Sequence, residues 1–321
     1  MERIDPRLLA VLGAAFISVS AIFVSLSGAA AGTAAFFRCA LALPVLLPLA
    51  LLERRRTAPR RRTGADLLAG ALLGGDLVLW GASIAAVGAG VATVLVNVQV
   101  VVLPLLALAA TGERPSRRFA FAVPVMLGGV ALAGGLADTG ARGSDPLRGV
   151  AYGAGAGVLY AGYLFLTRRA GEGQDHRYRP VLLSTLSAGA VSVVIGIPWH
   201  GVDVAPGWAA FGWLAALAVT GQVCGWMLIG AALRRLPAET GGTLLLLQPI
   251  LAVAFGAVLL GERPSPSQAA GCALVIAAVW LTGRTARRPP HRTEPPEAVP
   301  RTSSPAARNA VPIGTGAQEP E

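Results

Sequence analysis

Apolar residues in this chain do not alternate with polar ones; they run together. Ten runs stand out between short polar segments: Leu8–Leu26, Ala34–Leu52, Leu67–Val87, Val91–Thr111, Phe119–Leu136, Gly149–Thr167, Val181–Trp199, Trp208–Leu228, Thr240–Leu260 and Ala269–Thr282. Helix rises ~1.5 Å per residue and the hydrocarbon core is ~30 Å thick, so runs of this length with scarcely a charge are membrane spans. Backbone in lipid must satisfy its own hydrogen bonds, and each run is therefore predicted as a helix. The last run is short, and its helix is expected to begin near Ser267. Six prolines fall inside runs: Pro44, Pro48, Pro104, Pro124, Pro198 and Pro249. Each removes a backbone donor and can kink its helix.

The chain is internally duplicated. Gly112-Glu113-Arg114-Pro115-Ser116 returns as Gly261-Glu262-Arg263-Pro264-Ser265, an offset of 149 residues. Gln99 and Gln248, and Gly81 and Gly230, match at the same offset. Pro104 and Pro249 lie in corresponding spans, the fourth and the ninth. Repeats of this kind define the organisation of a chain. Residues 1–136 form a first five-helix repeat, 137–148 a connecting loop and 149–284 a second five-helix repeat. Residues 285–321, rich in Pro and Arg with no apolar period, are expected to be a disordered cytoplasmic tail. The first run superficially resembles a signal peptide, but its removal would leave the first repeat one helix short.

Composition and charge sharpen this picture. Of 321 residues 54% are hydrophobic and 14% charged, more apolar surface than a soluble domain can hide. All 27 basic residues are Arg, which looks like codon bias. The net charge of +10 does not imply nucleic acid, because the arginines cluster in short loops between apolar runs. With the N-terminus in the cytoplasm, 21 arginines fall on the inner side and 3 (Arg142, Arg148, Arg263) on the outer. The positive-inside rule then puts both termini in the cytoplasm. An odd number of spans per repeat turns the halves over relative to each other. The loop after span 2 holds six arginines, and its counterpart His200–Gly207 holds none. Homologous halves with opposite charge rules are expected of inverted-topology repeats. Cys39, Cys224 and Cys272 lie inside runs and read as small buried hydrophobes rather than a disulfide or zinc framework.

Two five-span halves, each ending its fourth span in Gly-Glu-Arg-Pro, resemble the EamA-type family of the drug/metabolite transporter superfamily. Phe37-Arg38 early in span 2, the stretch from Leu247-Gln248-Pro249 to Leu260-Gly261-Glu262-Arg263, and the Gly271–Thr282 run carry the same resemblance. It covers residues 8 to about 284. It implies an all-α fold of ten transmembrane helices in two inverted repeats around a central cavity, and transport of small metabolites. Gln248 stands where family members often carry Glu, and Gln does not ionise.

Within the spans Arg38 is the clear base and Asp76 the carboxylate. Intramembrane charges are costly and functional as a rule. Counting ~1.5 Å per residue puts Asp76 near the midplane and Arg38 roughly 6 Å above it. The two therefore form either a packing ion pair or part of the coupling and binding machinery; Arg38 alone could also snorkel to the outer interface. Asp76, Trp80 and Ser83 share one helix face, as do Gln222 and Trp226, and Tyr152, Tyr160 and Tyr163. Aromatic stripes are more often packing than binding sites. Trp80 and Trp226, however, lie away from the span ends where interface anchors sit, and fit a cavity. Gln99 and Gln248 are placed by the repeat at its pseudo-symmetric centre. Asn97 lies about 200° round from Gln99 and is expected to bond to a neighbouring helix. The predicted cavity residues are therefore Trp80, Gln99, Tyr160, Gln222, Trp226 and Gln248, with Asp76 and Arg38 for coupling or ion pairing.

These features point to a secondary transporter, an exporter of small metabolites such as amino acids or apolar compounds across the cytoplasmic membrane by alternating access. There is no Walker A loop, so ATP is not the direct energy source, and no cofactor is implied. His176, His200 and His291 lie outside the spans and no H-E-x-x-H occurs, which argues against an intramembrane metalloenzyme and a resident metal. A structural or regulatory membrane protein is the alternative. The partners implied are a small-molecule substrate and the bilayer. One chain carries both halves, so a monomer suffices and a dimer stays open. The topology is directly testable. Single cysteines at Ser116 and Ser265, in a background without the native ones, are expected to label with an impermeant maleimide from opposite sides of the membrane. Labelling from one side would overturn the inverted repeat.

Overall fold

A computed structural model describes residues 5–54, 63–112, 117–133, 145–171, 178–199, 201–233 and 247–283. Every element among them is helical. In chain order they are α1 (Pro6–Ser27), α2 (Ala31–Ala40), α3 (Leu43–Arg54), α4 (Thr63–Val87), α5 (Ala89–Leu95), α6 (Gln99–Thr111), α7 (Arg117–Ala133), α8 (Pro146–Gly171), α9 (Tyr178–Trp199), α10 (Trp208–Leu217), α11 (Trp226–Leu233), α12 (Leu247–Leu259) and α13 (Pro266–Gly283). Seven stretches have the length and apolarity to cross a membrane: Pro6–Ser27, Ala31–Glu53, Thr63–Val87, Ala89–Ala110, Pro146–Ala170, Tyr178–Trp199 and Trp208–Ile229. Shorter apolar helices cover Ala120–Ala133, Leu247–Leu259 and Pro266–Ala278, where the sequence places spans 5, 9 and 10. The protein is a multi-pass membrane protein. Glu113–Ser116, most of the loop 137–148, residues 240–246 of span 9 and the tail from 284 lie outside the described residues.

Three predicted spans are interrupted rather than continuous. The second breaks into α2 and α3, because Pro44 has no N–H to return to the Ala40 carbonyl. The fourth breaks into α5 and α6 around a 3₁₀ turn at Val96–Val98. There Asn97 departs from expectation: its carboxamide donates to the Thr93 and Val94 carbonyls of its own helix, at 3.0 and 3.3 Å. The eighth contains a π-helical segment, Ala218–Gly225, between α10 and α11.

Glycines set the crossings. A methyl group on Gly70 or Gly74 of α4 would fall 2.3 or 2.6 Å from the Ser184 or Ala188 carbonyl of α9. Gly149, Gly153 and Gly157 of α8 meet Val87, Leu95 and the Val96 carbonyl, and Gly221 and Gly225 meet Ser20 and Ile17 of α1. Backbones in lipid associate through such close approach, since apolar side chains gain little by leaving lipid for protein. Large apolar side chains such as Phe121, Val194 and Val258 point outward at 77%, 70% and 79% exposure, as a lipid-facing surface requires.

Helix ends are completed by side chains from elsewhere. Glu53, at the end of α3, accepts the backbone N–H groups of Tyr178 and Arg179 at the start of α9, both at 2.9 Å. Glu262 does the same for Ala89 and Gly90 at the start of α5. These carboxylates bind orphan amides and the positive end of the helix dipole together.

Adjacent glycines in α7 test the close-crossing reading. Next to Gly128 nothing lies within 4 Å, whereas a methyl on Gly129 would lie 2.9 Å from the Val275 side chain and 3.0 Å from its backbone nitrogen. Gly129→Leu is expected to lose about 1–3 kcal/mol through overpacking, seen as a lower melting temperature in detergent. Gly128→Leu, the same substitution one residue away, is expected to stay within about 0.5 kcal/mol of the parent.

Candidate functional site

α2 delivers Arg38 in its last turn, where a cation complements the negative end of the helix dipole. The residue is 6% exposed. Its Nε donates to Gln222 Oε1 at 3.1 Å, and Gln222 Nε2 donates to Thr185 Oγ1 at 3.2 Å. Gln222 sits in the π-helical segment beside Gly221. A side chain at Gly221 would begin 2.9 Å from Ser20 Cβ and 3.4 Å from Arg38 Nη2, so the glycine lets this segment lie close to α1 beside the guanidinium. The guanidinium carbon stands 5.6 Å from the centre of the Trp80 ring, a cation–π contact.

Asp76 lies one turn before Trp80 on α4 and is also 6% exposed. Its charge and that of Arg38 act on each other, and both act on Tyr160 and Tyr163. Even so, no ion pair within 4 Å and no hydrogen bond falls to Asp76 among the described residues. Acid and base are therefore electrostatic neighbours rather than a closed packing pair. Arg38 is held by Gln222 and Trp80, which answers the snorkelling alternative as well: the side chain is tethered inside the bundle.

Tyr160, Tyr163 and Trp226 form an aromatic triangle beside this pair. Their ring centres are 5.9, 6.4 and 6.2 Å apart. Tyr152, on the same predicted face, instead packs on Trp199 at 5.1 Å. The structure thus brings together Arg38, Asp76, Trp80, Tyr160, Gln222 and Trp226 of the predicted set, with Tyr163 and Thr185 added. Thr185 carried no signal in the sequence, being one small hydroxyl in an apolar run; only its contact with Gln222 marks it.

Gln99 and Gln248 are not joined to this cluster by any hydrogen bond among the described residues. The Gln99 Oε1 atom is buried without a partner, and its backbone nitrogen lies beside Gly157, one turn from Tyr160. Gln248 is half-buried, and its backbone carbonyl accepts from Ser18 Oγ at 2.9 Å. Among the described residues no three His, Cys, Asp or Glu side chains gather to hold a metal ion. What the cluster offers is one acid, the unused terminal N–H groups of one base, a buried amide acceptor nearby and aromatic walls. That combination can hold a small solute bearing opposite charges.

The model of the EamA-like transporter family matches residues 7–135 and again 147–284. The threonine/homoserine exporter RhtA of Salmonella typhimurium (strain LT2) is 34% identical over 144 residues, 45% of this chain and 48% of that protein. RhtA of Escherichia coli (strain K12) is 32% identical over 148 residues, 44% of this chain and 47% of that protein. The matches thus span about half the length of these curated relatives. A solved crystal structure superposes with a TM-score of 0.58 at 18% identity, over 88% of this chain and 98% of that one, which speaks for the fold alone. With both halves of the described helical body matched by one model, the chain belongs to the EamA-like transporter family.

Proposed function

We propose that this protein is a secondary exporter of small metabolites, amino acids foremost, working by alternating access in the cytoplasmic membrane. Its two halves are ten spans in inverted orientation with both termini inside, and they rock about the cluster of Arg38, Asp76 and the aromatic triangle. The observation that carries this reading is Asp76, a buried carboxylate in a membrane span with a guanidinium near it and no hydrogen bond of its own. A purely structural acid would be expected to close its ion pair; one that binds and releases charge has to stay available. The relatives named as threonine/homoserine exporters support amino acids as the substrate class. An α-amino acid presents a carboxylate to the terminal nitrogens of Arg38 and an ammonium to Asp76.

Coupling follows from the same residues. Gln99 and Gln248 do not titrate, His and Lys are missing from the spans, and Arg38 keeps its charge at any accessible pH. Asp76 is the one carboxylate of the cluster, and in this reading it carries the proton. In proteoliposomes loaded with radiolabelled threonine, Asp76→Asn is expected to abolish flux driven by a pH gradient and to spare exchange of substrate across the membrane. Full gradient-driven accumulation by this variant would exclude Asp76 from coupling. If Asp76→Asn fails to fold and Arg38→Gln in the same chain restores folding, the pair is structural.

A further inference from the structure

The duplicated pentapeptide has no part in the cluster, yet its second copy makes the tightest contact between the two halves of the sequence. Glu262 accepts the Ala89 N–H, and the Gly90 N–H at 3.0 Å, 172 residues away along the chain. Its own backbone N–H donates to the Gly256 carbonyl at 3.0 Å, which fixes the side chain at the end of α12. Three glycines wall in the carboxylate. Side chains at Gly88, Gly90 and Gly256 would begin 2.8, 3.0 and 2.3 Å from its oxygens. Gly88 also has φ +90°, a conformation in which a side chain is strained in any case. Gly88 caps α5 with no side-chain hydrogen bond of its own, so the first amides of α5 depend on Glu262.

α12 packs on α5, where Gly90 meets the Val253 backbone, and α6, continuing the same span, packs on α8. Spans 4 and 9 therefore meet at the Glu262 end. The arginine distribution assigns that end to the outside. We infer that Glu262 is the outer latch of the transporter: a carboxylate from the second repeat that holds the first turn of span 4 and keeps the outer ends of spans 4 and 9 closed. Opening outward then requires the Glu262 side chain to leave the Ala89 and Gly90 amides, and outer closure reseats it between the glycines. Glu262 is a positioning residue. It touches helix ends and not the solute. The inference rests on the alternating-access reading, but its test does not use flux.

The test is accessibility in the full-length chain, reconstituted in liposomes, with the three native cysteines replaced and Val91→Cys as reporter. Val91 is 5% exposed and lies one residue beyond Gly90. Glu262→Gln preserves the shape but puts an NH₂ where one acceptor oxygen stood and removes the charge. A charge-assisted hydrogen bond of this kind is worth about tenfold or more in an equilibrium, so labelling of Val91→Cys by an impermeant maleimide from outside is expected to accelerate about tenfold. The melting temperature is read in parallel. Faster labelling of a folded Glu262→Gln chain supports the latch, and an unchanged rate overturns it in favour of a static cap. Should Glu262→Gln not yield folded protein, Glu262→Asp takes its place, with the same two outcomes; it keeps the charge on a shorter arm. Threonine flux measured in the same liposomes reports separately on the transport proposal, so a latch that fails with flux intact and a latch that works without flux are distinguishable.

Discussion

The constraint on which this structure turns is that backbone N–H groups in or near lipid need a partner. Helices satisfy most of them, and each helix start leaves up to four over. Here the described carboxylates answer that need. Asp5 accepts the Arg7 N–H, Asp145 the Arg148 N–H, Glu53 the first amides of α9 and Glu262 the first amides of α5. Asp203 does the same for a turn at Ala205. The chain has only 17 acids against 27 arginines, and those the structure describes sit largely at the ends of helices. Against that background Asp76 stands apart, because among the described residues no hydrogen bond falls to it. A polar group so placed costs free energy unless something compensates it, and Arg38 supplies part of that compensation through its charge alone. The exception marks the site more clearly than its burial does.

The same constraint explains where helices can break. The 3₁₀ turn at Val96–Val98 is tolerated because Asn97 returns its carboxamide to Thr93 and Val94. The π-helical segment at Ala218–Gly225 is tolerated because Gly221 and Gly225 pack flush against α1. Each break also does something to the site. The first separates the α5 end, bound to α12, from the α6 half that carries Gln99. The second sets Gln222 against both Arg38 and Thr185. Irregular backbone in a membrane protein belongs where protein rather than lipid surrounds it, and each irregularity has a buried side, Val98 in the first and Ala218, Gly221, Gln222, Val223 and Gly225 in the second.

Much of this was legible in the chain. Apolar runs give helices because hydrocarbon thickness fixes their length, and seven of them appear at nearly the expected places, with three shorter ones within the runs expected to begin at Phe119, Thr240 and near Ser267. Arg38, Asp76, Trp80, Tyr160, Gln222 and Trp226 stood out in the chain because charged and large amphipathic side chains are rare inside spans, and the structure places them near one another. What the sequence could not reveal is which rare residues meet. The repeat pointed to Gln99 and Gln248, since matching positions suggest a shared centre, but a repeat marks symmetry of scaffold and not of chemistry. At the same offset of 149, Arg38 corresponds to Ser187 and Asp76 to Gly225. Ser187 bonds the Leu67 carbonyl and Gly225 packs against Ile17. In the second half of the sequence the equivalent positions serve packing, so the polar cluster draws its charges and Trp80 from the first half and Tyr160, Tyr163, Gln222 and Trp226 from the second. Thr185 and the helix-capping role of Glu53 were beyond pattern reading altogether, because a single hydroxyl or loop carboxylate has no period.

This division of labour bears on how such a protein can move. Of the helices that carry the polar cluster, α2, α4, α8 and α9 pack mainly on one another and the π-helical segment mainly on α1, while α7 pairs with α13 and α5 with α12. The cluster is knit by one hydrogen-bonded chain, Arg38 to Gln222 to Thr185, which links the first half of the sequence to the second through side chains alone. Side-chain links of this kind can be exchanged for links to a solute, since a neutral hydrogen bond contributes about 0.5–1.5 kcal/mol net and one to a charged group such as Arg38 about 1.5–3 kcal/mol, which a solute group can replace. Glycine-on-backbone crossings cannot be exchanged that way: the contact surface is rigid and has no rotamers. A rocking motion would therefore be expected to preserve the Gly70/Gly74 crossing with α9 and the Gly129/Gly271 crossing, and to exchange partners at Gln222 and Arg38. The residues at which the molecule is held by long side chains are the residues at which it is free to change.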